Sequence, residues 1–99
     1  AVKQYLDENY GEKITLDELS HLFFINKYYL TKTFKSQYGI SINHYLLNLR
    51  ITKAKQLLRF SDESVEQIGI ECGLGSAQYF SNRFKEIEGV SPKTYREQW

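Results

Sequence analysis

Residues 30–46 read LTKTFKSQYGISINHYL, and residues 80–96 read FSNRFKEIEGVSPKTYR. The two stretches share an ordered set of identical residues that lie 50 positions apart. These pairs are Phe34 and Phe84, Lys35 and Lys85, Gly39 and Gly89, Ser41 and Ser91, and Tyr45 and Tyr95. Chance is unlikely to produce such a series in order, so the repeat indicates two copies of one structural unit.

Upstream of each stretch the correspondence continues with a shift of one residue. Leu19 matches Ile68 at an offset of 49 rather than 50. One copy must therefore hold an extra residue in the connection between the two matched segments. The difference must be absorbed in the turn between the helices, around 24–27 in the first copy and 73–77 in the second.

Each copy has the signals of a short helix, a tight turn and a second helix. The first helix opens with a capping box, Thr15-Leu-Asp-Glu18 or Ser64-Val-Glu-Gln67, in which the hydroxyl accepts a hydrogen bond from a free backbone N–H. The second helix ends at Gly39 or Gly89, because glycine is common just past a helix terminus. Its predicted N-caps are Asn26 and Ser76. This order is the helix-turn-helix pattern.

The rest of the chain also has helical periodicity, and the predicted fold is all-α. A stripe of Leu47, Ile51, Ala54, Leu57 and Leu58 predicts a long central helix. Seven helices are expected, at 2–10, 16–23, 27–38, 42–59, 65–72, 77–88 and 92–98. They form two tandem helix-turn-helix units in one domain, at about 1–46 and 61–99, joined by the long helix at about 42–59.

The composition narrows the class of protein. With 99 residues, 41% of them hydrophobic, the chain is long enough for one domain with a real core. A single cysteine excludes an internal disulfide framework, and no apolar run approaches the ~18 residues of a membrane span. We expect a cytoplasmic protein. Because the sequence begins inside what reads as a helix, we also expect a piece of a longer chain.

The charge distribution is compatible with DNA, although the net charge is only +1. A strongly basic domain is the usual footprint of nucleic-acid binding. Here the lysines and arginines concentrate around 27–35, 50–59 and 83–96, while acidic residues cluster at 7–8, 17–18, 62–66 and 86–88. Such a dipolar surface can present one basic face to DNA.

The sequence resembles the DNA-binding domain of AraC/XylS-type transcription activators over essentially its whole length. The second copy carries the strongest match: Ile68-Gly69, Cys72-Gly73-Leu74, Tyr79-Phe80, Phe84-Lys85, Gly89, Ser91-Pro92 and Tyr95-Arg96. The resemblance implies two recognition helices that enter successive major grooves of promoter DNA. It also implies recruitment of RNA polymerase and an effector or sensor domain in another part of the full-length protein.

The candidate base-reading residues lie on the polar face of each second helix. Lysine can donate to guanine, and glutamine or asparagine can form a bidentate pair with adenine. Asn82 stands where the family often has arginine, which favours adenine over guanine at that position. The predicted base-contacting residues are Tyr28, Thr31 and Lys32 in the first copy and Ala77, Gln78, Ser81 and Asn82 in the second.

Phosphate contacts are expected from basic side chains and from backbone N–H groups at helix starts, where the helix dipole favours an anion. The predicted phosphate-contacting residues are Thr15, Lys27, Lys35, Arg50, Lys53, Ser64, Lys85 and Arg96. Arg50 and Arg96 could equally stabilise the fold by pairing with acidic residues such as Asp17 or Glu66.

Other functions have less support in the sequence. Ordinary solvated lysines are the alternative explanation for the basic face, and a helical protein-interaction module that has lost DNA binding is the alternative function. No catalytic arrangement, cofactor motif or set of residues at metal-ligand spacing is evident, and Cys72 lies on an apolar stripe, as a buried thiol would. Of the doublets Phe23-Phe24 and Tyr28-Tyr29, we expect one residue in the core and one at its rim.

Overall fold

The computed structural model describes residues 1–98. Within that range it has seven α-helices and no strand, which confirms the predicted all-α fold with helix boundaries within one residue of those expected. The helices are α1 (Val2–Asn9), α2 (Leu16–Phe23), α3 (Lys27–Tyr38), α4 (Ile42–Phe60), α5 (Val65–Glu71), α6 (Ala77–Glu88) and α7 (Pro92–Glu97). None of these helices is long and apolar enough to cross a membrane.

The chain divides into two compact units, one from Ala1 to Leu49 and the other beginning at Arg50. Each unit contains one helix-turn-helix: α2 and α3 in the first, α5 and α6 in the second. The central helix α4 contributes residues to both, because the boundary falls within it.

The central helix has two buried stripes rather than the single predicted one. Ile42 and Leu46 of its first half belong to the core of the first unit, while Ile51, Ala54 and Leu58 of its second half are buried as well. Of the residues on the predicted stripe, Leu47 and Leu57 are only half-buried. One helix that serves two units does not keep one continuous apolar face.

A polar contact supports the core of the first unit. Leu6, Leu19, Leu30 and Phe34 are buried together, and the hydroxyl of Tyr45 on α4 donates a short hydrogen bond to the Asp7 carboxylate on α1. Lys3 pairs with the same carboxylate at 3.2 Å. Burial and this hydrogen bond raise the pKa of Tyr45 above its ordinary value, so Tyr45 remains a neutral donor.

The predicted caps are present at the start of both helices of each unit. Thr15 Oγ1 and Ser64 Oγ accept from the third residue beyond them, each at 3.1 Å. Asn26 Oδ1 accepts from Tyr28 N at 2.8 Å, and Ser76 Oγ accepts from Tyr79 N at 3.2 Å. These bonds satisfy backbone N–H groups that have no partner inside the helix. The start of each recognition helix, α3 and α6, is therefore fixed by its own sequence.

The turns between the paired helices show where the extra residue lies. Phe24 (φ 55°) and Gly73 (φ 78°) occupy equivalent left-handed positions, and a further left-handed residue, Gly75 (φ 70°), occurs only in the second unit. Gly75 is the insertion that changes the offset from 49 to 50. Phe24 is the only non-glycine residue with positive φ within residues 1–98, and its side chain is 95% exposed.

The two units differ in the sizes of two equivalent side chains, one on each helix of the helix-turn-helix. Gly69 on α5 is buried against Phe80 on α6, and a Cβ atom at Gly69 would lie 2.8 Å from Cδ2 of that ring. At the positions that the repeat makes equivalent, the first unit has the larger Ser20 in place of the glycine and the smaller Leu30 in place of the phenylalanine. The Ser20 hydroxyl donates to the Ile25 carbonyl at 2.5 Å. A small residue on the first helix is therefore matched to the bulk of the second.

Gly69→Ala is expected to destabilise the second unit, because the added methyl group overlaps a fully buried ring. Overpacking costs about 1–3 kcal/mol, and alanine's better helix propensity offsets about 1 kcal/mol of that. We expect a net loss of about 1 kcal/mol in the free energy of unfolding, measured by urea denaturation. Adding Phe80→Leu should make the double variant about 1 kcal/mol more stable than the sum of the two single effects. Simple additivity would contradict this account of the packing.

Phe24→Gly is expected to stabilise the first unit by about 0.5–1 kcal/mol. Glycine adopts a left-handed backbone without the steric cost that a Cβ atom incurs, and a side chain that is 95% exposed has few contacts to lose. The gain would appear as a higher midpoint in urea denaturation. Phe24→Ala is the matched control, since alanine keeps the Cβ atom and should give little or no gain. Equal stabilisation by both variants would show that the backbone is not strained there.

Candidate nucleic-acid interface

Each recognition helix is attached to its unit by one narrow face. Leu30 and Phe34 are the buried residues of α3, and Phe80 and Phe84 are those of α6, with ring centroids 5.8 Å apart in an edge-to-face arrangement. In both helices the buried residues are four positions apart, so they lie one above the other. The other residues of α3 are all exposed, and those of α6 are exposed except for Ser81, Arg83 and Glu88, which are half-buried.

The predicted reading residues of the first unit lie together on the exposed side of α3. Tyr28 is 77% exposed, and Thr31 and Lys32 are exposed as well. Residues three and four positions apart are neighbours on a helix surface, so these three side chains form one cluster. The cluster offers a phenol, a hydroxyl and an ammonium group to a ligand.

Lys27 already has a partner in the structure. Its Nζ lies 2.9 Å from Oδ1 of Asp17, which joins the start of α3 to the first turn of α2. This hydrogen bond holds the pKa of the Asp17 carboxyl below its ordinary value. Both side chains are exposed, so the pair is worth little in water. Lys27 would have to share or leave Asp17 in order to reach a phosphate.

The predicted reading residues of the second unit include a hydrogen-bonded pair. Gln78 Nε2 donates to Asn82 Oδ1 at 3.1 Å along α6, and both residues are exposed. Ala77 is also exposed, whereas Ser81 is half-buried. This cluster carries amide groups and no charge, in contrast to the cluster on α3.

The helix starts near Thr15 and Ser64 are less suited to phosphate than expected. Both hydroxyls are already used as caps, and acidic residues occupy the first turns: Asp17 and Glu18 in α2 and Glu66 in α5. These carboxylates compete with an anion for the helix dipole. Of these three carboxylates, Asp17 is the one that forms an ion pair with a lysine, Lys27.

Arg96 stabilises the fold and is a poor candidate for phosphate contact. Its guanidinium donates to the carbonyl oxygens of Leu58 (3.1 Å), Glu63 (2.6 Å), Leu57 (3.5 Å) and Ser61 (3.2 Å). The sequence left open a structural role through a carboxylate such as Asp17 or Glu66. The hydrogen bonds support a structural role, but through main-chain carbonyls at the end of α4.

The other predicted phosphate contacts differ in accessibility. Lys35 and Lys85 occupy equivalent places on α3 and α6, and both are exposed. Lys53 and Arg50 are half-buried. Burial lowers the pKa of Arg50, while Tyr79 and Cys72 nearby favour its charged form. These surroundings favour a structural contribution from Arg50.

Two exposed tyrosines were missed by the sequence analysis. Tyr29 and Tyr79 are 61% and 50% exposed, and the Arg83 guanidinium lies 5.8 Å from the centroid of the Tyr79 ring. The expectation that one tyrosine of the Tyr28-Tyr29 doublet would lie in the core is wrong. The two missed residues are 50 positions apart, so the repeat itself could have found them. In the other doublet, Phe23 is partly buried against the core, whereas Phe24 is 95% exposed and does not lie at the rim of the core.

The remaining candidates for chemistry stay outside this interface. Cys72 is fully buried, and burial raises the pKa of its thiol to about 11, so little thiolate forms near neutral pH. Within residues 1–98, no three His, Cys, Asp or Glu side chains group as a metal site would require.

Comparison with known proteins gives a consistent family. A family model for a helix-turn-helix domain matches residues 19–98. Over 99 residues the chain is 32% identical to YijO of Escherichia coli K12, an uncharacterized HTH-type transcriptional regulator. The alignment covers all of this chain and 35% of YijO. The chain is 31% identical over 96 residues to AdaA of Bacillus subtilis, a bifunctional transcriptional activator and DNA repair enzyme, covering 97% of this chain and 46% of AdaA. The chain thus spans less than half of these relatives.

Solved structures show the same fold. The C-terminal domain of AraT, a response regulator from Geobacillus stearothermophilus, is 31% identical with a TM-score of 0.93, over 97% of this chain and 80% of that one. The DNA-binding domain of AdpA, solved in complex with a target DNA, is 26% identical with a TM-score of 0.93, over 98% and 87%. An AraC-type regulator from Chromobacterium violaceum is 28% identical with a TM-score of 0.86, over 96% and 85%. These likenesses agree with the helix-turn-helix match and with the doubled α2–α3 and α5–α6 architecture. The chain therefore belongs to the AraC family of transcription regulators, of which it forms the sequence-specific DNA-binding domain.

Proposed function

We propose that α3 and α6 each enter a major groove of promoter DNA and that their exposed side chains select the sequence. One observation carries this proposal: each helix buries only two side chains on one face, and the predicted reading residues lie on the faces left open. A major groove admits one α-helix. The AdpA domain, which has the same fold, was solved with its target DNA.

The two helices would read different sequences. On α3 the reading residues are Tyr28, Thr31 and Lys32, and the ammonium group of Lys32 suits the O6 and N7 acceptors of guanine. On α6 the amides of Gln78 and Asn82 suit adenine, and the methyl group of Ala77 suits the methyl group of thymine. Ser81 is half-buried and contributes less. The first unit would therefore favour a G-containing segment and the second an A·T-containing one.

Phosphate contacts would come chiefly from lysines that lie beside the reading faces. Lys35 and Lys85 are exposed at equivalent places, and Lys27 lies at the start of α3. The backbone N–H groups near Thr15 and Ser64, together with Lys53 and Arg50, would contribute less, for the reasons of charge and burial given above. Arg96 is left out of the set.

In the full-length protein this domain would connect a signal to transcription. We infer that a sensor or effector domain lies elsewhere in the longer chain, since the matched relatives extend well beyond the region aligned here. Binding near a promoter would allow contact with RNA polymerase. This activity would take place in the cytoplasm, on the chromosome.

Selection from random duplex DNA tests the proposed function. We expect the 99-residue chain to enrich an asymmetric motif with two unlike segments centred about 10 base pairs apart, because every proposed reading position differs between the two units. A perfect palindrome bound by two chains through one unit each would contradict the assignment of both helices. Enrichment of no motif would favour the alternative of a protein-interaction module.

Lys32→Ala and Lys35→Ala should have different effects, although both remove one charge from α3. Lys32→Ala is expected to cost about 1–3 kcal/mol on the best site and to relax preference at one base pair. Lys35→Ala should weaken all sequences about equally and make the slope of log K against log salt shallower by about 1. Both residues are exposed, so each variant should unfold within about 0.5 kcal/mol of the parent chain.

Repeating the binding-site selection with each of these variants tests which of the two lysines contacts a base. If Lys35→Ala changes the selected motif and Lys32→Ala leaves it intact, the reading face of α3 lies about one helical turn from its proposed place.

A further inference from the structure

The Gln78–Asn82 pair differs from the other proposed reading residues because its two side chains are bonded to each other. Gln78 Nε2 donates to Asn82 Oδ1 at 3.1 Å, and both residues are exposed on the open face of α6. Glutamine and asparagine at positions i and i+4 of a helix stabilise each other in this way. The equivalent residues of the first unit are Tyr28 and Lys32, which cannot form such a pair of amides.

The bond determines which polar atoms point toward a ligand. The Asn82 oxygen accepts one hydrogen bond from Gln78 and so uses one of its two lone pairs, whereas the Asn82 Nδ2 group keeps both of its N–H donors for a ligand. Gln78 uses one of its two N–H groups, so its Oε1 remains as an acceptor. The pair therefore offers the Asn82 Nδ2 donors and the Gln78 Oε1 acceptor, besides one remaining N–H group of Gln78 and one remaining lone pair of Asn82 Oδ1.

We propose that Gln78 and Asn82 act as one reading unit and together recognise a single A·T base pair, rather than one base pair each. This inference rests on the proposed function, because it assumes that the open face of α6 lies in the major groove. Inside the groove water is partly excluded, which strengthens a bond that is already formed. Breaking it to read two separate bases would leave both amides to find new partners.

Adenine matches this arrangement in the major groove. Its N7 accepts from Asn82 Nδ2, and its N6 amino group donates to Gln78 Oε1. Guanine would place its O6 acceptor at Gln78, which could bind it only by turning its remaining N–H group into the place of Oε1. Cytosine has no major-groove acceptor for the Asn82 donor, and thymine lacks a donor for Gln78 Oε1. Adenine is therefore the base that uses both the Asn82 donor and the Gln78 acceptor without rearranging the pair.

The test is binding-site selection and affinity measurement with the 99-residue chain and the variants Gln78→Ala, Asn82→Ala and the double variant. In the parent chain, replacing the recognised A·T pair should weaken binding about 5- to 150-fold. Each single variant should lose preference at that same base pair and at no other. The double variant should bind the best site no more than about twofold worse than either single variant.

A charge variant adds a change of specificity that lost folding cannot imitate. Gln78→Glu provides only acceptors, so it can no longer donate to Asn82 Oδ1. The Asn82 amide would turn to donate to the new carboxylate, and acceptors would then face the groove. We expect the preferred base at this position to change from adenine to cytosine, whose N4 amino group donates.

The matched control is Gln4→Ala. Gln4 Nε2 donates to Glu8 Oε1 at 3.3 Å, an exposed i,i+4 pair on α1, outside the proposed interface. Its removal should leave the selected motif and the affinity unchanged. If Gln78→Ala and Asn82→Ala relax two different base pairs and their losses multiply in the double variant, the joint reading is overturned while the proposed function stands. A parent chain that selects no motif overturns both.

Discussion

Two buried side chains, one helical turn apart, hold each recognition helix in its unit, and the exposed interface depends on this attachment. Leu30 and Phe34 anchor α3, and Phe80 and Phe84 anchor α6. Full burial of one such side chain is worth about 1.5–3 kcal/mol, so each helix is retained by a small apolar area. Because that area is narrow, most of the helix circumference is left for polar side chains. A broader apolar face would hold the helix more firmly but would leave less surface for the polar side chains that are proposed to read DNA.

The polar contacts made by residues of α3 and α6 differ between the two units. In the first unit, Lys27 at the start of α3 reaches across to Asp17 on α2, so an ion pair connects the two helices. In the second, the Gln78–Asn82 bond lies within α6 itself. An exposed ion pair is screened by salt, whereas a pair of neutral amides is not. The first unit's contribution to binding should therefore depend on ionic strength more than the second's, beyond the effect of phosphate contacts.

The sequence predicted those features that depend on local signals. Thr15 and Ser64 begin helices and Gly39 and Gly89 end them, because each acts on backbone groups a few residues away. Features that depend on tertiary packing were missed. Leu47 lies on the same helical stripe as Ile51 but is only half-buried, because α4 contributes buried residues to both units. For Arg96 the sequence offered a phosphate or a carboxylate as partner, because charge is visible in a sequence, whereas the main-chain carbonyls that it binds are not. The bond between Gln78 and Asn82 could have been predicted from their spacing, but its direction could not. The roles of Tyr28, Lys32 and their neighbours in reading DNA remain predictions.

The difference in side-chain size between the units has a consequence for protein engineering. Gly69 leaves room for Phe80, while the equivalent residues of the first unit are Ser20 and Leu30. A recognition helix is therefore not an independent cassette. Grafting α6 in place of α3 would set a phenylalanine ring opposite a serine, and the reverse graft would leave a cavity beside a glycine. The segment to transplant is the whole of α5, the turn with Gly75, and α6. A chimaera that exchanges DNA specificity between two such domains should therefore be joined at the residue that caps the start of the first helix.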